Sequence, residues 1–515
     1  MQKKQTILVV ASLLVVVLSV TLAYFTAQII GKGKNVTINS ADLKIIFTDS
    51  DGSISGTNIE PGKWNVTKTF TIENKSNETY KYNIVIQNLV NTFVTKGYLQ
   101  YKITSTNGGY NMTEFKDVPK SETATDTILA YSASIDVGVT QTYTVEFIYK
   151  NDESVDQSDD MGKTLSGKLF ITEGTEEPTL LSQILKDNPT RSTRSNNNNG
   201  TNDFATPLTT TTTGTLFTST ESITGITDSP KEVYYFAGNT TKNWVKFANL
   251  YWRIIRTNHD GSIRLLYVGT SHDTTGGNIG TSAFNTNSNS TKYVGYKYGE
   301  DTSLDTIRNN TIDSTIKTYI DTWYQNNLTT YTKYLSTSAV YCNDRSEGTG
   351  QTYNYVSSPS SQFNFAPYYR MNYDSNGAAA NPTYNCTDIR DAFSVDNENA
   401  KLDYPVALMT ADEIAYAGGV ALQKMSTPYA WFISNSTGTE VTTSWWSLSP
   451  NNWVGSFSFA YVSLWSSGIA NLNRHLVKNT SGVRPVLSLK SCIKYSTGNG
   501  TSETPYEIVE TDTGC

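Results

Sequence analysis

In Lys68-Thr69-Phe70-Thr71-Ile72-Glu73 and in Tyr143-Thr144-Val145-Glu146-Phe147-Ile148-Tyr149, apolar and polar residues alternate. Successive side chains of a strand point to opposite faces, so this pattern specifies a strand with one wet side. Strand-like segments recur at 43–48, 64–73, 80–89, 99–104, 142–149 and 167–172, with turns between and no long helix to interrupt them, which is the spacing of a β-sandwich. Composition agrees: charged residues are only 17% of the chain, aromatics reach 12%, and Tyr outnumbers Phe 33 to 18. Exposed β-structure favours that balance. The expected fold is therefore mainly β. At 515 residues the chain exceeds one core, so two or three units are expected.

The N-terminus bears on the compartment. Lys3 and Lys4 precede an uncharged stretch, 5–31, with an apolar centre at 7–22. That is the layout of an export signal. Thr21 and Ala23 put small residues at the third and first positions before a cut after Ala23, which would leave Tyr24 as the new N-terminus and 1–23 as signal peptide. The alternative is a retained membrane anchor over 6–30. Both readings place the protein outside the cell or on its surface, with membrane contact only through this segment. Cys342, Cys386, Cys492 and Cys515 fit an oxidising compartment. Pairing Cys342 with Cys386 and Cys492 with Cys515 closes two short loops without crossing. Neither pair has the C-x-x-C spacing of metal or redox sites. Net charge is -7 and grows more negative if Lys3 and Lys4 leave with the leader. No basic surface remains to release counterions from phosphates, which argues against nucleic acid.

Along the chain, 35–172 reads as the sandwich domain and 173–229 as a flexible linker carrying the polar tracts 196–199 and 209–213, with room for a short helix at 178–189 through Leu180, Leu181, Ile184 and Leu185. The second domain begins near Leu216 or Tyr234 and is taken as 234–515. There, 251–257 and 262–268 flank Asn258-His259-Asp260-Gly261, a hairpin signal. Ile316, Ile320 and Trp323 share a helical face within 314–327, and Thr410-Ala411-Asp412-Glu413 is a capping box for a helix ended by Gly418-Gly419. Strands at 444–448, 457–465 and 483–489 follow.

Two resemblances refine this. Leu22-Ala23-Tyr24-Phe25-Thr26-Ala27, Asn39-Ser40-Ala41-Asp42-Leu43-Lys44-Ile45 and Asp160-Met161-Gly162-Lys163-Thr164-Leu165-Ser166-Gly167 resemble the camelysin and TasA family of bacterial surface and matrix-fibre proteins. This implies cleavage before the aromatic pair and an Ig-like or jelly-roll sandwich over about the first 172 residues. Trp445-Trp446-Ser447-Leu448-Ser449-Pro450 and Gly482-Val483-Arg484-Pro485-Val486-Leu487 resemble the end of bacterial domains with the α+β C-type-lectin-like fold. That fold hosts many functions, so it implies architecture rather than chemistry.

Catalytic and metal signatures are weak. The three histidines, His259, His272 and His475, lack zincin spacing, and no cofactor is expected. Asp49-Ser50-Asp51-Gly52-Ser53 has Ile54 where a calcium loop needs Gly, so it reads as a turn. Asp152, Glu153, Asp156, Asp159 and Asp160 read as a solvated hairpin end. An enzyme would need a carboxylate pair such as Asp403 with Asp412 or Glu413. The candidate ligand surface is 457–465, where period two puts Phe459, Tyr461 and Trp465 on one side and Ala460, Val462 and Leu464 on the other. With Trp453, Asn471, Asn473, Arg474 and His475 on neighbouring segments, this is a recognition-type residue set. In the fold relatives called variable proteins, this region faces the ligand. The expected function is non-catalytic: an exported adhesin-like protein recognising an unidentified surface protein or glycan. The alternative is a matrix fibre that homopolymerises through its sandwich.

Overall fold

The computed structural model describes residues 36–38, 43–47, 52–56, 59–196, 202–272, 277–351, 362–371, 381–421, 444–466 and 469–515; for 36–38, 43–47, 304, 463–466 and 469–471 it describes the backbone alone. The leader, with Ala23, Tyr24 and the alternative anchor, lies outside the described residues. Among these no helix is long and apolar enough to cross a membrane. The fold is mainly β, in two units that divide between Glu177 and Pro178.

The first unit is a sandwich. One sheet runs Val36–Ile38, Leu43–Phe47, Asn65–Asn74, Thr140–Tyr149, Leu99–Ser105, Lys116–Asp117, and the other Ser53–Gly56, Leu165–Glu173, Tyr80–Asn91, Ser121–Ile135. Alternation decides what goes inside. Gln141, Tyr143, Val145, Phe147 and Tyr149 are buried while Thr142, Thr144, Glu146 and Ile148 are not. Tyr143 stacks on Phe70 of the next strand at 5.1 Å between centroids. Across the core its hydroxyl meets that of Tyr82, which also donates to Gln141 at 2.6 Å. The two sheets thus share hydrogen bonds as well as apolar area. Asp160 of the acidic loop is buried and structural: it accepts from the Val94 and Thr95 amides at 2.6 and 3.2 Å and from the Tyr149 hydroxyl at 2.9 Å.

The second unit starts earlier than its composition implies, and the reading of 173–229 as linker is corrected. Helix Leu180–Asp187, capped by Thr179, buries Leu180 and Ile184 in the main core. Thr190–Thr193 pairs in parallel with Thr215–Glu221, which pairs antiparallel with Lys231–Tyr235. Thr is a good strand former, and ladder hydrogen bonds use the backbone, so a threonine-rich segment pairs once a partner strand exists. Leu216 and Phe217 then go inside.

This sheet continues through Leu250–Thr257, from which one branch passes by Trp244–Phe247 and Tyr506–Ile508 to Tyr495–Thr497, and another by Ile263–Gly269 and Val486–Leu489 to Val406–Ala407. The expected hairpin is present, but its loop closes from Asn258 to Ser262 and Gly261 takes the positive φ, 77°. A second sheet contains Thr281–Ala283, Thr480–Gly482, Trp445–Val454, Phe457–Ser466 and Ile469–Leu476, with Phe363–Asn364 on the second strand edge of Trp445–Val454. Helix Thr315–Asn327 begins at Ser314, whose hydroxyl accepts from the Lys317 amide, and buries Ile316, Ile320 and Tyr324. Helix Ala411–Ala417 carries the expected capping box and ends at Gly418, φ 123°. Disulfides join Cys342 to Cys386 and Cys492 to Cys515, each with 5.8 Å between Cα atoms.

Candidate functional site

The densest chemistry in the second unit is a buried charge network. Strands that bury both faces carry Arg256 and Arg264 into the interior, and both guanidiniums converge on Glu413 Oε1, Arg256 at 2.8 Å. Glu413 Oε2 accepts from the Thr410 amide at 2.9 Å. Arg256 also reaches Glu221, from the segment expected to be linker, at 2.8 Å. Burial opposes the charge on Glu221, but Arg256 and the His259 side chain hold its carboxyl down to about 2. Beside it Arg370 pairs with Asp412 at 2.9 Å and Asp344 at 2.7 Å. Each of these carboxylates faces an arginine. Asp403 is engaged separately by Lys317, so the Asp403 pairing with Asp412 or Glu413 considered from sequence does not form. The cavity among these groups is about 20 Å³, room for roughly one water. It is a structural network.

The expected aromatic platform is also corrected. Tyr461 is 1% exposed. Helices Ala366–Met371 and Ala411–Ala417 cover its face, bringing Tyr368, Arg370 and Asp412 near the phenol. Trp453 is buried too, within the main apolar core of the second unit. His475 is half-buried, with Nδ1 2.9 Å from the Ser481 hydroxyl, Nε2 3.1 Å from the Asn479 amide, and its pKa lowered by burial. The Trp465 and Asn471 side chains lie outside the described residues. At the surface, the Arg474 guanidinium lies 4.7 Å over Phe459, Asn473 is half-buried, and Phe457 is exposed with Lys478 5.4 Å away. The surviving part of the platform is therefore Phe459 and Arg474 with their neighbours.

A wider opening than this cavity lies elsewhere. A groove of about 700 Å³ follows the outer face of helix Thr315–Asn327. Its walls include Tyr298, Tyr319 and Trp323, with the polar side chains of Asn285, Thr318, Thr322 and Asn326 between the rings. Trp323, placed on the apolar stripe by its spacing, is half-buried: its edge packs on Tyr267 at 5.4 Å and it also lines the groove. Tyr319 is 36% exposed and its hydroxyl donates to the Ile279 carbonyl at 3.4 Å. Gly280 makes room for it, since a Cβ there would stand 2.2 Å from the Tyr319 oxygen.

Asp313 also lines the groove. Its carboxylate meets Lys297 at 3.3 Å and Lys317 at 3.1 Å. Lys317 is fully buried and also contacts Asp321 at 2.5 Å and Asp403 at 2.6 Å. Its ammonium stands where three carboxylates would otherwise collect a cation. Burial disfavours that ammonium, yet the carboxylates outweigh it and raise its pKa. Burial, together with the neighbouring Asp313 and Asp403, pushes the Asp321 carboxyl up to about 6. The helix was legible in sequence. The groove was not, because Asn285 and Tyr298 reach it from distant segments and Thr318 and Thr322 look like any solvated face.

No protein-family model and no curated protein matches the chain. Among solved structures it is similar to AvmM, described as catalysing macrocyclization in alchivemycin A biosynthesis, at 10% identity over 25% of this chain and 92% of that one, with a TM-score of 0.14. A likeness that slight carries no argument about fold or activity.

Proposed function

We propose that this is an exported cell-surface or matrix protein whose C-terminal unit recognises a ligand without transforming it. The groove along helix Thr315–Asn327 carries the reading: its volume is that of a ligand site, and it combines aromatic walls with side-chain amides and hydroxyls. Fixed aromatic rings supply contact area at small entropic cost, and the polar groups between them supply orientation. The two disulfides support an oxidising compartment. The likenesses of the N-terminal unit to camelysin and TasA proteins and of the C-terminal unit to C-type-lectin-like domains remain part of the proposal. Glycan and protein arrays probed with the full exported chain test it. Binding that Thr322→Arg abolishes is expected; binding indifferent to that change, or none, contradicts it.

A second reading has one observation in its favour. Val36–Ile38 and Leu43–Phe47 are the outermost two strands at one edge of the six-stranded sheet. Such strands can exchange between copies, giving a homopolymer decorated by the C-terminal unit. Light scattering of the mature chain against concentration tests this, with growth into filaments expected and a constant monomer mass opposed.

A further inference from the structure

We infer that the groove along helix Thr315–Asn327 binds an uncharged glycan chain. This rests on the recognition reading above and narrows it to a ligand class, through three features of the lining.

The first is hydrogen-bond polarity. The Thr318 hydroxyl donates to the Ser314 carbonyl at 3.2 Å and the Thr322 hydroxyl to the Thr318 carbonyl at 2.8 Å. A hydroxyl has one donor, so each turns only lone pairs outward. The Thr315 hydroxyl accepts from the Thr286 amide at 3.2 Å and so keeps its O–H to donate, and Asn327 donates one N–H to the Trp323 carbonyl at 2.7 Å and keeps the other. Tyr319 gives its proton to Ile279. Thr318, Thr322 and Tyr319 therefore offer acceptors while Thr315 and the amides of Asn285 and Asn326 offer donors, and a lining of both kinds suits a ligand covered with hydroxyls, which donate and accept.

The second is charge. Among the described lining residues the charged side chain is Asp313, and the lysines near it are turned onto carboxylates. Three aspartates outnumber Lys297 and Lys317 there. An anionic polymer would bring negative charge to negative charge, which disfavours it.

The third is geometry. Thr318, Thr322 and Asn326 repeat every four residues, about 6 Å apart along a helix that rises 1.5 Å per residue. That spacing is close to one pyranose unit in an extended chain. Tyr319 and Trp323 also line the groove, and aromatic rings beside such a row suit the apolar C–H face of a sugar.

Affinity electrophoresis of the full chain tests this, in native gels containing dextran, laminarin, mannan or galactan, and in parallel alginate, polyglutamate or teichoic acid. Surfaces coated with collagen or fibronectin add a protein arm. Retardation by at least one neutral polysaccharide is expected, weakened at least tenfold by Tyr319→Ala and by Thr322→Arg, with unchanged melting temperatures. Should Tyr319→Ala fail to fold, Thr322→Arg and Asn326→Arg, both on the exposed helix face, carry the comparison. Neutral binding that survives these changes, or no retardation by any neutral polymer, overturns the inference. Variant-sensitive binding to an anionic polymer or a protein overturns it while leaving the recognition reading intact. Absence of variant-sensitive binding in every arm removes both.

Discussion

Replacing Glu413 with Gln should destabilise the second unit by about 4 kcal/mol. The carboxylate is 1% exposed and accepts from Arg256, Arg264 and the Thr410 amide. The amide cannot supply the charge, so Arg264 keeps the Val340 carbonyl and the Tyr341 ring while Arg256 keeps Glu221 and its own Thr257 carbonyl. Removing one partner from a buried pair costs about 3–5 kcal/mol, because the remaining charge stays desolvated. Weakening the capping box adds up to about 1 kcal/mol. At about 2 °C per kcal/mol for a unit of this size, the calorimetric transition of the second unit should fall by about 8 °C. Glu398→Gln is the control, since Glu398 pairs with Lys401 at 2.6 Å with both side chains mostly exposed; such a pair is worth roughly 0.5 kcal/mol or less. If Glu413→Gln melts within about 2 °C of the parent, or no lower than Glu398→Gln, the network does not hold the fold as described.

Three further outcomes follow from the same structure. Glu221 has its folded pKa depressed to about 2, so its stabilisation is full above its ordinary 4.5 and is lost as pH falls toward 2, whereas Asp321, raised to about 6, favours the folded state more as pH falls from 6 toward 3.8. Urea midpoints at constant salt should therefore be highest near pH 5 and fall steeply below 4.5, with the gain between pH 7 and 5 lost in Asp321→Asn; a flat profile from pH 5 to 2 would oppose this. A chain beginning at residue 178 should melt cooperatively and one beginning at 234 should not, because the latter lacks Leu180, Ile184, Leu216 and Phe217; equal melting of the two would restore the linker reading. Non-reducing peptide mapping should recover Cys342 with Cys386 and Cys492 with Cys515, and a dominant Cys342 to Cys492 peptide would contradict the structure.

What the sequence made legible was local. Alternation at Tyr143 to Tyr149 named the buried side of a strand, the Thr410 and Glu413 spacing named a helix start, and Ile316 and Ile320 named a helix face. Each depends on residues a few positions apart. Thr215–Glu221 was legible only as one possible start of the second domain, near Leu216, because its strand character comes from a partner, Lys231–Tyr235, rather than from a pattern of its own. Tyr461 shows a second limit: period two separates the faces of a strand but does not say what covers them, and two helices from elsewhere in the chain bury this one. The same limit hid the charge network. Glu413 was visible as a capping residue, but nothing local said that Arg256 and Arg264 would point inward to meet it. It hid the groove as well, since Asn285 and Tyr298 join the helix only through the fold.

Hydrogen–deuterium exchange of the full chain, with and without the tightest-binding array ligand, tests the central claim most directly, because it locates the bound surface without a substitution. The groove account predicts added protection in 285–298 and 315–327, with 457–476 unchanged. Protection confined to 457–476, over Phe459 and Arg474, would contradict it and return recognition to the strand hairpin.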